Sequence, residues 1–334
     1  MVFKVTECFC LEYSRAPCVR VSKMSESKEV IPTAPVKRFL LLVLPCLIVS
    51  QGVSFLAGHP SVKDWRLQKV AALAIAIQWV VFVHASGFLG NERTERYYDL
   101  TGSLTFLLTS FWSSTFVPAD QRSLRQTILT YCVQIWAVRL GSFLFSRISK
   151  HGGVDSRFVE IKKSLLRFFG AWTLQGVWVF LTALPVFALN QAIDVKPLTT
   201  VDYIGLSMWA IGFLFEVVAD TQKSEFKDNK ANKDKWITGG VWSLSRHPNY
   251  AGEILLWLGL CISATQGMPF LSSRSLVSFI SPLFVFLLLV GVSGVPMLEK
   301  ASDKRWGGNK AYELYKAQTP TLIPFVGRRG SSPF

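Results

Sequence analysis

Val70-Ala-Ala-Leu-Ala-Ile-Ala-Ile-Gln-Trp-Val-Val-Phe-Val-His-Ala-Ser-Gly-Phe-Leu-Gly90 contains no Asp, Glu, Lys or Arg. Its length matches the roughly 20 apolar residues that a helix needs to cross a hydrocarbon core. The same pattern recurs at 39–57, 100–119, 168–193, 254–273 and 275–298. Two further stretches carry one charge each, 126–145 with Arg139 and 203–219 with Glu216. These eight segments predict an all-α, polytopic bundle of transmembrane helices. Composition agrees: half the 334 residues are hydrophobic and 17% are charged, where soluble domains average about 25%. The helices are therefore not the interior of a large soluble protein.

The net charge of +14 does not predict a nucleic-acid partner, because nearly all the basic residues sit outside the spans. Six lie in 146–170, six in 220–250 and seven after Leu298. By the positive-inside rule all three segments face the cytoplasm. Eight crossings satisfy that demand with both termini cytosolic. The expected organisation is a disordered polar extension at 1–37, an N-terminal membrane half at 38–146, and a cytosolic loop at 147–170. A C-terminal membrane half with the cofactor site follows at 171–325, and a tail at 326–334. The extension does not resemble a cleaved signal, since the first long apolar run is itself a full span; Met24 offers an alternative start. The six cysteines show no CxxC pair and no metal-ligand spacing, so neither a disulfide framework nor a metal site is expected.

The densest polar constellation is Gly239-Gly-Val-Trp-Ser-Leu-Ser-Arg-His-Pro-Asn-Tyr-Ala-Gly-Glu253. Pro248 suits the first turn of a helix, where its missing N–H costs nothing. Asn249 and Glu253 then fall at i, i+4 on one face, with Arg246 and Tyr250 close by. Interface anchoring explains Trp242, Arg246 and Tyr250 one at a time. It does not explain Asn249 and Glu253 at the head of an apolar segment, where polar groups are costly and tend to be functional.

Ser245-Arg-His-Pro-Asn-Tyr-Ala-Gly-Glu253 resembles the signature of the steroid 5-alpha-reductase C-terminal superfamily, and most closely its branch of uncharacterised DUF1295 membrane proteins. Asn91-Glu-Arg-Thr-Glu-Arg-Tyr-Tyr-Asp-Leu-Thr-Gly102, Val138-Arg-Leu-Gly141, Asp155-Ser-Arg-Phe158, 213–227 and Glu299-Lys-Ala-Ser-Asp-Lys-Arg-Trp-Gly307 agree with that branch. The resemblance covers roughly residues 65–325. It implies that Trp242, Arg246, His247, Asn249, Tyr250 and Glu253 contact NADPH, and that Lys223 and Lys227, one helical turn apart, hold the adenosine phosphate. Cationic groups pair with phosphates through charge-assisted hydrogen bonds. No GxGxxG follows a strand, so a Rossmann domain is not the carrier.

Reduction of a polarised C=C needs an acid as well as a hydride, and a partly buried carboxyl can serve. Asp303 matches an acidic position of the relatives. Glu299 departs from them, since they often carry arginine there. The alternative is that both pair with Lys300, Lys304 and Arg305 at the interface. Tyr98, at the start of the third span, is a further proton-donor candidate or an interface anchor. Arg139 and Glu216 are expected to pair or to line a cavity, and His84 to be a satisfied polar residue between helices. The resemblance thus implies an NADPH-dependent reductase of a C=C bond in a steroid, sterol or other enone lipid that enters from the bilayer, with the endoplasmic reticulum as the default compartment. Two alternatives stay open. One is a membrane methyltransferase using S-adenosylmethionine, because Arg-His-Pro-x-Tyr also occurs in isoprenylcysteine carboxyl methyltransferases. The other is a non-enzymatic lipid-binding relative. No protein partner is legible.

Overall fold

The computed structural model describes residues 44, 47–57, 65–90, 92–150 and 152–324. The polar extension at 1–37, the opening of the first expected span and the tail at 326–334 lie outside the described residues.

Every regular element among the described residues is helical. In chain order these are α1 (Leu47–Leu56), α2 (Arg66–Ala85), α3 (Tyr98–Ser114), α4 (Leu124–Lys150), α5 (Leu165–Leu189), α6 (Thr200–Asp228), α7 (Pro248–Gln266), α8 (Ser273–Ser278), α9 (Ile280–Phe286), α10 (Val295–Trp306) and α11 (Lys310–Gln318). A π turn at Leu287–Val292 joins α9 to α10. In a bilayer a helix satisfies its own backbone polar groups within one segment, which is why such apolar runs adopt it.

Five stretches are long and apolar enough to cross a membrane: α2, α4, α5, α6 and the run Ser273–Trp306. The other three of the eight expected spans coincide with α1, α3 and α7. Of these, α1 is described only over Leu47–Leu56, α3 ends after 17 residues, and α7 is diluted by small residues and by the polar pair Asn249 and Glu253. The sequence places the start of the α7 span near 254, yet the helix begins at Pro248. Asn249 and Glu253 are tolerated in it because both are buried against other helices instead of facing lipid.

The central element is α5, buried along nearly its whole length, while α6 lies on the perimeter with most of its surface outward. A cluster of Phe106, Trp136, Trp178 and Trp257 fills the middle of the bundle, with ring centroids 4.8–5.1 Å apart for the edge-to-face pairs. The closest helix pair is α6 with α7. A methyl group added to Gly212 would lie 2.5 Å from the Gly252 carbonyl oxygen, and one added to Gly259 would lie 2.4 Å from that of Gly205. Two glycines seven residues apart on each helix thus let the backbones touch, as small residues do at helix interfaces in membranes.

Candidate functional site

Because α6 and α7 meet backbone to backbone, the polar side chains at the α6 C-terminal end face those at the α7 N-terminal end. Arg139 of α4 donates to Glu216 Oε1 at 3.0 Å and to Asp220 Oδ2 at 2.8 Å. Trp136 Nε1 donates to Glu216 Oε2 at 3.0 Å, and Asn249 Nδ2 to Asp220 Oδ1 at 3.1 Å. The Arg139–Glu216 pair is as expected. Asp220 and Trp136 are additions that sequence reasoning missed. The available signals are helical spacing, with Asp220 four residues after Glu216 and Trp136 three before Arg139.

One turn further along α7, Glu253 is fully buried. It lines a narrow cleft with Asp99 and Ser103 of α3, Leu140 and Leu144 of α4, and Gln175 and Trp178 of α5. Asp99 Oδ2 receives Arg157 at 2.9 Å, with Arg147 at 3.6 Å. Asp99, Gln175 and Trp178 were also missed. Each comes from a helix that shares no sequence motif with α7.

Above the α7 start, Arg246 and His247 converge on Glu299. Arg246 Nη2 lies 3.1 Å from Glu299 Oε2, and His247 Nε2 lies 2.8 Å from Oε1. The segment after α11 straps this corner down. The Arg246 backbone N–H donates to Pro320 O at 2.9 Å and Arg246 Nη2 to Thr321 Oγ1 at 2.7 Å, while Tyr315 Oη donates to Trp242 O at 3.1 Å. The His247 ring stacks on Tyr250 at 5.7 Å. Burial holds the His247 pKa below its ordinary value; the Glu299 carboxylate opposes that shift, and Lys223 and Arg246 add to it. With Nε2–H given to Glu299, Nδ1 is an acceptor. His247 Nδ1, Asn249 Oδ1 and Arg246 Nε are buried with no hydrogen-bond partner among the described residues.

Trp242 donates from Nε1 to Ala219 O at 3.1 Å, and Lys223 Nζ sits 4.4 Å over its ring. Lys223 is half-buried and Lys227, a turn further out, is exposed. The structure therefore gathers Lys223, Trp242, Arg246, His247 and Glu299 at one mouth, with Asn249, Tyr250 and Glu253 leading inward from it. It does not gather the rest. Tyr98 is buried, its hydroxyl donating to Ala171 O at 2.9 Å between Phe158 and Trp172. Asp303 is exposed and held by Lys316 Nζ at 2.6 Å and Tyr312 Oη at 3.0 Å. The alternative pairing of Glu299 and Asp303 with Lys300, Lys304 and Arg305 is corrected. Their partners are Arg246, His247, Lys316 and Tyr312, which the residues leading into α7 and the side chains of α11 bring to α10, and Arg305 turns to Asp234. His84 is exposed at the last turn of α2 and is not enclosed between helices.

Two curated relatives are similar to this chain. The uncharacterized protein C594.04c of Schizosaccharomyces pombe is 24% identical over 230 residues, covering 60% of this chain and 64% of that protein. The probable O-methyltransferase ustE of Ustilaginoidea virens is 34% identical over 101 residues, 30% of this chain and 32% of that protein. The chain thus spans less than two thirds of the length of either. No solved structure matches it. The family described as a protein of unknown function, DUF1295, matches residues 88–319 and so takes in both the α6–α7 mouth and the cleft below it. The chain belongs to the DUF1295 family.

Proposed function

We propose that this protein is a membrane-embedded, NADPH-dependent reductase of a C=C bond in a lipophilic, enone-type substrate, with its cofactor mouth on the cytosolic side of the endoplasmic reticulum membrane. The observation that carries the reading is the α6–α7 mouth itself. There a half-buried lysine and buried, hydrogen-bond-deficient polar atoms sit at the head of an apolar bundle. Lys223 and Lys227 supply positive charge for an adenosine phosphate. Asn249 Oδ1 is an acceptor, which suits a ribose hydroxyl or a carboxamide N–H. NADPH, when bound, supplies the hydride. Glu299 fixes the His247 ring through Nε2, so a proton taken up at Nδ1 is held beside a half-buried carboxylate. We assign the proton to this His247–Glu299 pair, because the Tyr98 hydroxyl is committed to Ala171 and Asp303 to Lys316.

One observation favours a second reading, methyl transfer from S-adenosylmethionine. Arg246 is already neutralised by Glu299, which weakens it as a phosphate ligand, and a relative over 101 residues is named a probable O-methyltransferase. Thermal unfolding of the purified protein in detergent with NADPH, NADH or S-adenosylmethionine separates the two. Stabilisation by NADPH that disappears in Lys223→Ala and Arg246→Ala supports the reductase. A response confined to S-adenosylmethionine overturns it.

A further inference from the structure

We infer that the cleft between α3, α4, α5 and α7 receives the hydroxyl group of a lipophilic alcohol. The inference rests on this end of the bundle being the working face, but not on which cofactor binds there.

The cleft leaves about 10 Å³ for water-sized groups, which is room for one water or one small polar group. A ligand therefore enters it by a single functional group, and the group is selected by what the walls offer. Gln175 is 1% exposed, and its Nε2 is committed to Tyr98 O at 2.7 Å. That bond fixes the amide orientation and leaves Oε1 as a buried acceptor with no partner among the described residues. Trp178 is 4% exposed, and its Nε1–H is a buried donor, likewise unpartnered. Arg157 and Arg147 both approach Asp99 through Oδ2, so Oδ1 remains to accept. Leu140 and Leu144 complete the wall with apolar surface.

A hydroxyl meets this set, donating to Gln175 Oε1 or Asp99 Oδ1 and accepting from Trp178 Nε1–H. A ketone has no hydrogen to give, so it leaves the Gln175 acceptor unmet. An ammonium would meet the Asp99 and Glu253 carboxylates of the same cleft, so the ketone is the comparison that isolates the hydroxyl. Leaving a buried polar group unpaired lowers affinity by roughly tenfold or more. Both orphaned atoms belong to α5, the most enclosed helix of the bundle, so neither can turn outward to water.

The test compares 1-tetradecanol and 2-tetradecanone for thermal stabilisation of the full chain in detergent, without cofactor. The alcohol should bind about tenfold more tightly than the ketone. In Gln175→Met the alcohol's advantage over the ketone should fall to about twofold or less. In Trp178→Phe, which removes the N–H together with the pyrrole half of the indole, alcohol and ketone should both weaken. Equal binding of the two by the wild-type protein overturns the inference, as does a preference for the ketone. So does an alcohol preference that persists undiminished in Gln175→Met, or an alcohol affinity that is unchanged in Trp178→Phe. NADPH and S-adenosylmethionine are added to parallel samples. Alcohol preference with no cofactor response sinks only the cofactor reading, whereas a cofactor response without alcohol preference sinks only this one.

Discussion

Two arginine–carboxylate networks, one fully buried and one half-buried, sit at opposite ends of the bundle, and they differ in how completely they are satisfied. At the far end Arg125, 1% exposed, grips Asp202 through Nε at 2.7 Å and Nη2 at 2.6 Å and also donates to the Lys196 and Pro197 carbonyls. Asp202 receives Ser263 Oγ at 2.8 Å and both the backbone N and the hydroxyl of Thr199. Each of its oxygens has at least two donors, and α4, α6, α7 and the loop before α6 are tied together. Toward the other end of α6, where Lys223 acts on His247, the Arg246–Glu299 corner leaves Arg246 Nε, His247 Nδ1 and Asn249 Oδ1 without partners among the described residues. A network that closes on itself is a fastening. Open valences in a buried place cost stability, and they mark where a ligand completes the structure.

The largest effect that could break this contrast is at the closed network. Arg125→Met should destabilise the protein by about 3–5 kcal/mol, since it strands a buried carboxylate, as read from denaturant or thermal unfolding in detergent. A loss below about 1 kcal/mol, the range of an exposed pair, would show that the network is not a fastening. Next comes the glycine contact that aligns the open end. Gly212→Ala should cost about 1–3 kcal/mol and weaken cofactor stabilisation, because its methyl group would meet the Gly252 carbonyl at 2.5 Å. Gly239→Ala, with nothing within 4 Å, should stay within about 0.5 kcal/mol.

A smaller change sharpens the cofactor assignment. Glu299→Gln removes the charge that neutralises Arg246, so NADPH should bind about tenfold more tightly, worth about 1.4 kcal/mol. Binding of S-adenosylmethionine should not change. A titration in which NADPH affinity falls instead would mean that Glu299 itself serves the cofactor. The smallest effect is in pH. Burial lowers the His247 pKa below 6.5, so the folded state takes up its proton later than the unfolded chain. Its contribution is fully present above about pH 6.5. It fades as the pH falls from there toward the lowered value. The melting temperature of His247→Asn should lose less than the wild type between pH 7 and pH 5; parallel curves would remove His247 from the argument.

Much of this was legible in the residues alone. Uncharged runs of span length give helices, the Arg246–Glu253 segment heads one of them, and two charges placed within spans, Arg139 and Glu216, find each other. Helical spacing also explains why Asn249 and Glu253 lie on one face. The contrast between the two networks was not legible. Arg125 is 77 residues from Asp202 and His247 is 52 from Glu299, and no periodicity links such positions. Tyr98 likewise looks available until α5 presents the Ala171 carbonyl to it.

What the sequence determined is partition. Each segment's hydrophobicity decides whether it enters a bilayer, and helical periodicity decides which of its side chains share a face. Only the tertiary structure decided which faces meet. Glycine pairs of the right register draw α6 onto α7, α5 is enclosed by its neighbours, and α10 turns Glu299 toward Arg246. Whether a buried polar atom is satisfied depends on partners from other helices, and that is a property of packing, which local sequence does not encode.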